Sequence, residues 1–286
     1  MPPLSDEELL QYERQVSIWG EENQARLKDR KVVVLGAGGL GSPALYYLAA
    51  AGVGDVRIYD HDVVSLSNLN RQILYGYDCI GKSKSECAKK ALRRLNRHIE
   101  ISSRPTLVDE SNFEEVTRDC DLLLDLTDSM PTKELINPLI VRSQVKAIHA
   151  ALVGMLGFCF FNVAGGPCWN CLFTPAPKSR STKLSLPYAH YPSFGASAGM
   201  LGSLVATLAV RSLLGINDFN DRFYFISHMT DFWKLLVTAR GWKSIMTPHF
   251  RLLVEHSLAS FPNSSKLVDE IRLETNPECR TCGRRL

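Results

Sequence analysis

The stretch Lys31-Val-Val-Val-Leu-Gly-Ala-Gly-Gly-Leu-Gly-Ser42 decides the fold. Lys31–Leu35 is a β-branched, apolar run without alternation, the pattern of a parallel strand covered on both faces. Gly36, Gly38 and Gly41 follow as a tight turn, and Ser42–Ala51 continues as an apolar helix. Asp55–Tyr59 is a second strand that ends at Asp60. Missing Cβ atoms at the three glycines let a phosphate approach the backbone, and the helix N-terminus behind them offers free N–H groups. Asp60 stands about 20 residues beyond the last glycine, the distance at which an acid reaches a ribose hydroxyl. These features fit NAD as well as another adenine nucleotide.

Working outward, the same alternation recurs. Ser5-Asp-Glu-Glu8 is a capping box that starts a helix through Tyr12, Arg14 and Ile18. Lys82–Leu95 is a basic helix, Glu100–Pro105 a third strand, Asp121–Leu126 a fourth and Lys146–Ala151 a fifth. Leu156–Val163 opens an antiparallel part. Thr174–Ser193 is rich in Pro and Ser and reads as a mobile loop, followed by a buried helix over Gly199–Leu214 and strands at Arg222–Ser227 and Trp233–Leu236. The expected fold class is therefore α/β: a Rossmann-like, doubly wound sheet, parallel in its first half with an antiparallel continuation. Residues 1–286 are expected to form a single domain. It would comprise a helical segment over 1–30, a nucleotide-binding half over 31–165, and a second half over 166–286 with a crossover loop at about 174–198.

The residues just beyond Asp60 separate this chain from a simple dehydrogenase. Ser65-Leu-Ser-Asn-Leu-Asn-Arg-Gln72 lies just behind the ribose-binding strand end, so Asn68 and Arg71 can point back at a nucleotide. Arg71 offers a planar cationic fork for phosphate oxygens. Lys84 opens a helix after Gly81 and adds a second charge, and Asp128 can hold Mg²⁺ beside the phosphates. Hydride transfer has no use for this cluster. A reaction at a triphosphate does, because Arg, Lys and Mg²⁺ offset the repulsion between an anionic nucleophile and an anionic phosphate. Taken singly, Arg71 or Lys84 is an ordinary solvated charge and Asp128 an ordinary turn cap. Their position behind one glycine turn is what makes them a site.

The eight cysteines divide into two kinds. Cys79, Cys87, Cys120 and Cys159 are scattered and read as small core residues or quiet thiols. Cys168-Trp-Asn-Cys171 and Cys279-Arg-Thr-Cys282 are two CxxC units, which together supply the four thiolates of a closed, structural zinc shell. Two redox pairs or unrelated thiols are the plainer reading. Phe232, Trp233 and Phe250 read as core or dimer interface, and His149 as a satisfied core histidine.

The segments Tyr12-Glu-Arg-Gln15, Gly36–Ser42, Asp60–Gln72, Gly81-Lys-Ser-Lys84, Asp125-Leu-Thr-Asp128 and both CxxC units occur in the order seen in the ThiF/MoeB/HesA proteins, prokaryotic relatives of ubiquitin-activating enzymes, which the chain resembles from about Leu9 to Cys282. The resemblance implies ATP-dependent adenylation of the C-terminal carboxylate of a small ubiquitin-like or sulfur-carrier protein ending in Gly-Gly. It implies Gly36, Gly38, Gly39, Gly41 and Asp60 around the nucleoside, and Ser67, Asn68, Leu69, Asn70, Arg71 and Gln72 along the nucleotide. Arg71 and Lys84 would lie on its phosphates, Asp128 on Mg²⁺ with Ser129 beside it, and Arg14 would reach the triphosphate site of the other subunit in a homodimer. Gln11 and Ser129 depart from the Arg and Asn common in such proteins. Leu172–Ser203 holds no cysteine, with Tyr188 near the place where some relatives carry one, and neither Ser185 nor His190 supplies a convincing substitute. The expected chemistry therefore stops at the acyl-adenylate, with Cys79 the remaining thioester candidate. Open alternatives are adenylation of a ribosomal peptide or another carboxylate, an NAD-dependent oxidoreductase, an inactive scaffold, and a tRNA-modifying dehydratase.

Composition sets the background. With 286 residues, 45% hydrophobic and 22% charged, the chain can bury a sizeable core. A net charge of +3 gives no support for nucleic acid or an anionic membrane as partner. The acidic N-terminus lacks the positive region of a signal peptide, and the apolar run Leu201–Leu214 contains Arg211, so a cytoplasmic protein without a membrane span is expected.

Overall fold

The computed structural model describes residues 3–173, 192–216, 220, 222–227, 246–248, 251–252 and 268–282. The expectations for Ser185, Tyr188 and His190, for Phe232, Trp233 and Phe250, and for a strand at Trp233–Leu236 fall outside these residues.

Helix α1 (Asp6–Lys28) starts at Ser5, whose hydroxyl accepts from the Glu8 N–H while the Glu8 carboxylate accepts from the Ser5 N–H. The helix is interrupted at Gly20, where φ is 81°. Strands β1 (Lys31–Leu35) and β2 (Asp55–Tyr59) flank α2 (Gly41–Ala51), and β3 (Glu100–Arg104) follows α3 (Lys84–Leu95). A short helix α4 (Phe113–Val116) leads to β4 (Leu122–Asp125), and α5 (Met130–Ser143) leads to β5 (Ala147–Val153). The chain then turns back at Gly154 into β6 (Leu156–Asn162), passes the one-turn helix α6 (Trp169–Leu172), and runs through α7 (Gly195–Leu213), β7 (Arg222–Ser227) and β8 (Val268–Arg272).

All eight described strands share one sheet in the order β3-β2-β1-β4-β5-β6-β7-β8. The pairs from β3 to β5 are parallel and those from β5 to β8 antiparallel. The missing alternation in β1 has its cause here. Val32 and Val34 pack into a core with α2, α3 and α7, whereas Val33 and Leu35 pack into a second core with α4 and α5. Each such side chain stabilises the sheet by about 1.5–3 kcal/mol through burial.

A third, aromatic core lies on the antiparallel half. Phe158 and Phe160 of β6, Phe223 and Phe225 of β7, Trp169 and the cysteines Cys168, Cys171 and Cys279 form it. Helix α7 is long and apolar enough to cross a membrane by length and composition, but most of it is buried within the chain. It packs against α2, β5 and β6, which makes it a core helix.

Two expectations change. Helix α7 begins at Gly195, not Gly199, so the last four residues of the expected crossover loop are helical. Buried Ser197 and Ala198 anchor that first turn against the nucleotide half. Helix α3 begins at Lys84 because the Ser83 hydroxyl caps it, accepting from the Glu86 N–H. Helix α7, from the second half, packs on α2 of the first.

Candidate active site

The glycine turn has no room for a larger residue at its two ends, Gly36 and Gly41. Gly36 has φ of 94°, and a Cβ there would lie 2.8 Å from the Leu126 carbonyl oxygen. A Cβ on Gly41 would strike the Gly36 carbonyl oxygen. The turn is thus wedged between its own helix and the end of β4, the C-terminal edge where doubly wound sheets bind ligands. Gly38 and Gly39 face the octet. The Cβ positions of these two residues come 3.7 Å from the Gln72 amide nitrogen and 3.5 Å from Arg71 Cγ respectively. The structure therefore lays Arg71 and Gln72 across the glycine turn.

The octet is held by its own polar groups. Asn68 accepts from the Ser65 N–H at 3.1 Å, and the Ser65 and Ser67 hydroxyls lie 2.9 Å apart. The Arg71 guanidinium donates to the Ser67 carbonyl at 2.9 Å and to the Asn70 side chain at 3.0 Å. Leu69 packs against the main core and Gln72 is buried. Asp60, also buried, accepts from the Ala37 N–H at 2.7 Å and from the Asp62 N–H at 2.9 Å. Burial raises its pKa and those two N–H donors oppose the rise. Each carboxylate oxygen has a second lone pair, so Asp60 retains capacity for a hydroxyl.

Lys84 is buried and its ammonium pairs with Asp62 at 2.8 Å. The sequence reading missed this partner, although the acid of Asp60-His-Asp62 stood in the quoted motif. Asp62 fixes the lysine head beside the Asp60 strand end and keeps its charge local. Asp128 is exposed on the turn after β4, and the Ser129 hydroxyl caps α5 by accepting from the Thr132 N–H at 3.3 Å. Gly36–Gly41, Asp60, Ser67–Gln72, Lys84, Asp128 and Ser129 thus belong to the loops at one end of the sheet.

Arg14 does not join them. Its neighbours on α1 fix it to the opposite end. Tyr12 accepts from Asn96, before β3, and Gln15 donates to the Ala51 carbonyl, before β2. A five-residue strand such as β1 separates the two ends by about 16 Å.

Sequence reasoning also missed a cluster below Asp128. Asp125, Lys133 and His149 are fully buried, with Lys133 3.1 Å and His149 Nδ1 2.8 Å from the Asp125 carboxylate. Burial disfavours the Asp125 charge, but Lys133, His149 and Thr127 outweigh it and hold the pKa below the usual carboxylate range. The ammonium sits 5.5 Å over the Trp169 ring. His149 was expected to be a satisfied core histidine; it is core, but only Nδ1 is partnered.

The tetracysteine is assembled. The sulfurs of Cys168, Cys171, Cys279 and Cys282 lie within 4.8 Å of one another. Cys168 is 3.9 Å from Cys171 and 3.7 Å from Cys279, and Cys171 is 3.2 Å from Cys282. A tetrahedral shell with zinc–sulfur bonds of about 2.3 Å needs sulfurs about 3.8 Å apart. The donor set and its burial fit such an ion. Among the described cysteines, Cys79 is half-buried against the main core, and burial together with Cys79 pushes the Cys87 thiol up to about 11.

Known proteins resemble the chain in sequence and in fold. The ThiF family matches residues 12–240. "Adenylyltransferase and sulfurtransferase UBA4" of Saccharomyces cerevisiae is 36% identical over 222 residues, covering 75% of this chain and 49% of that protein. The chain thus spans about half the length of that relative. "SAMP-activating enzyme E1" of Haloferax volcanii is 38% identical over 195 residues, covering 68% of this chain and 71% of that protein. Among solved structures, Escherichia coli MccB with ATP matches with a TM-score of 0.71 at 20% identity, over 96% of this chain and 73% of that one. That likeness is one of fold.

Proposed function

The chain belongs to the ThiF family, and from that premise we propose that it is an ATP-dependent adenylyltransferase acting on the C-terminal carboxylate of a small ubiquitin-like sulfur-carrier protein ending in Gly-Gly. The observation that carries the reading is Arg71 laid across Gly38 and Gly39, with Lys84 and Asp60 on the adjoining strand end. The acceptor carboxylate attacks the α-phosphorus, the bond to the β-phosphate oxygen breaks, and pyrophosphate leaves. A carboxylate is a poor electrophile at neutral pH; joined to AMP it becomes an acyl donor with a good leaving group.

In this reading Asp60 receives the ribose, the glycine turn admits the phosphates, and Arg71 and Lys84 offset charge that grows as pyrophosphate departs. Lys84 reaches that charge while retaining or exchanging its Asp62 partner. Asp128 would hold Mg²⁺, which supplies further neutralisation of the phosphates. The four cysteines would hold a structural zinc. The chain would act as one adenylation domain, as a homodimer, in the cytoplasm, where thiolates stay reduced. The names of two relatives, an adenylyltransferase and sulfurtransferase and a SAMP-activating enzyme, support a sulfur-carrying acceptor. A peptide substrate rests on fold likeness to MccB alone.

ATP–pyrophosphate exchange, dependent on a carrier with a free C-terminal glycine, is the expected activity. Lys84→Ala and Arg71→Ala should each lose about 2–4 kcal/mol of transition-state stabilisation, the cost of removing one preorganised electrostatic partner. Full exchange in Lys84→Ala would remove that lysine from the phosphate site.

A further inference from the structure

Asp125 stands three residues before Asp128, and its carboxylate is saturated. Its Oδ1 accepts from the Thr127 N–H at 3.3 Å, from the Thr127 hydroxyl at 2.7 Å and from the Lys133 ammonium at 3.1 Å. Its Oδ2 accepts from His149 Nδ1 at 2.8 Å. Lys133 makes a second bond, to the Asp125 carbonyl, at 3.1 Å. A buried ion pair of this kind is no gain in stability over apolar residues of the same volume. Of the other inward positions on α5, Ile136, Leu139 and Ile140 are apolar, and buried Asn137 accepts from the Trp169 N–H. Stability therefore does not account for a lysine at 133.

Position does. The turn from Leu126 to Ser129 is fastened on both sides of Asp128. Before it, Thr127 is bonded through both backbone and side chain to Asp125, and the Leu126 N–H donates to the Leu35 carbonyl. After it, Ser129 caps α5, and the Lys133 N–H donates to the Ser129 carbonyl. Lys133 joins both fastenings, since its backbone lies in the first turn of α5 and its ammonium grips Asp125. Asp128 itself stays exposed, and its charge is felt at Lys133. The Lys133–Asp125 pair is neutral as a unit, so it holds the turn without repelling a cation.

We propose that Lys133, through Asp125 and Thr127, is a positioning residue that sets the Asp128 carboxylate for a divalent cation at the nucleotide phosphates. It is not a catalytic residue, because it is buried beneath the turn and its ammonium is bound to the Asp125 carboxylate and carbonyl. The inference rests on the adenylation reading for the identity of the nucleotide. Mg²⁺ accepts only near-ideal octahedral geometry at about 2.0–2.1 Å. A carboxylate free to wander by a fraction of an ångström would bind it poorly, while the rest of the nucleotide site would be unaffected.

The test separates metal use from folding. ATP binding is measured by calorimetry with Mg²⁺ and with EDTA for the full chain and for Lys133→Met, Lys133→Arg and Thr127→Val, beside thermal unfolding and the Mg²⁺ dependence of exchange. Lys133→Met should keep ATP binding in EDTA within twofold of the unsubstituted chain. It should lose most of the gain in affinity that Mg²⁺ confers, and raise the KM for Mg²⁺ in exchange at least tenfold. Lys133→Arg should return both to within threefold. Thr127→Val should show the same effect at smaller size with an unchanged unfolding temperature, and it decides the matter if Lys133→Met does not fold. An unaltered Mg²⁺ gain in these variants, or a lower unfolding temperature with normal Mg²⁺ dependence, overturns the proposal. ATP binding needs no acceptor, so absence of exchange in the unsubstituted chain would count against the adenylation reading and leave the binding result to judge Lys133.

Discussion

At the scale of single residues, His149 ties the buried cluster to pH. Its ring stacks on Phe160 at 5.1 Å and lies 5.7 Å from Trp169, while Nε2 has no hydrogen-bond partner. Burial lowers its pKa below the ordinary 6.5, against the opposing pull of Asp125. The unfolded chain then takes up a proton at higher pH than the folded one. The stability linked to this group is complete above pH 6.5 and is lost as pH falls from there toward the folded value. The slope for one proton is about 1.4 kcal/mol per pH unit. His149→Asn retains a donor toward Asp125 but cannot titrate. Chemical denaturation from pH 8 to 5 should therefore give a shallower acid-side decline for His149→Asn than for the unsubstituted chain. Proton uptake by the cysteine cluster is common to both, and superimposable pH profiles would show that His149 does not supply the slope. The sequence revealed His149 as interior, from its apolar neighbours. It could not reveal the Asp125–Lys133–His149 cluster, because a lysine in a helix reads as solvated until the fold closes over it.

At the scale of elements, the short helix α6 joins the four-cysteine cluster to α5. The Trp169 N–H donates to Asn137 Oδ1 at 3.0 Å, and the Asn137 amide lies 3.8 Å from Cys168 Sγ. Asn170 donates to Thr281, and the Thr247 hydroxyl to the Cys171 carbonyl, so chain segments distant in sequence meet at the four sulfurs. Binding one zinc there should be coupled to folding of this corner. Metal analysis of protein expressed with zinc should give about one equivalent per chain. Chelation should lower the unfolding temperature and raise the protease sensitivity of the C-terminal segment, and less than half an equivalent would count against the site. The elements also show where local pattern suffices. Strand β1 and its glycine turn were legible because burial on both faces leaves an uninterrupted apolar run, and β2 because buried Val56 and Ile58 alternate with half-buried residues. Helix α5 was not, since Pro138 interrupts its interior and the packing of Ile136, Leu139 and Ile140 with Leu123 and Ala147 that sustains it is set by the fold. Strand β8 is a short edge strand with Asp269, Glu270 and Arg272 in its sequence, and the antiparallel pairing with β7 that defines it is invisible to periodicity.

At the scale of the whole molecule, the placement of α1 decides what Arg14 can do. Glu7 pairs with Arg97, Tyr12 meets Asn96, and Gln15 and Gln24 donate to the Ala51 carbonyl. All of these anchors lie where strands begin, whereas Asp60, Arg71 and Asp128 lie where strands end. An Arg14 that touches a triphosphate must therefore touch that of another chain. The surface agrees: Leu10 and Ile18 flank Arg14 one helical turn to either side, and they are 74% and 78% exposed. An apolar stripe with an arginine at its centre has the make-up of an interface core, where charge other than arginine is depleted. Burying these two side chains against a second copy would enclose the arginine between them in that interface. Arg14→Ala and Lys84→Ala homodimers should each be deficient in exchange. Mixed under conditions of subunit exchange, they form hybrids in which one of the two sites contains both unsubstituted residues, so up to a quarter of all sites regain full activity at equal mixing. Each variant alone also reports the dimer by its sedimentation. If the mixed sample, shown to contain hybrids, has no more activity than its components, Arg14 does not act across the interface.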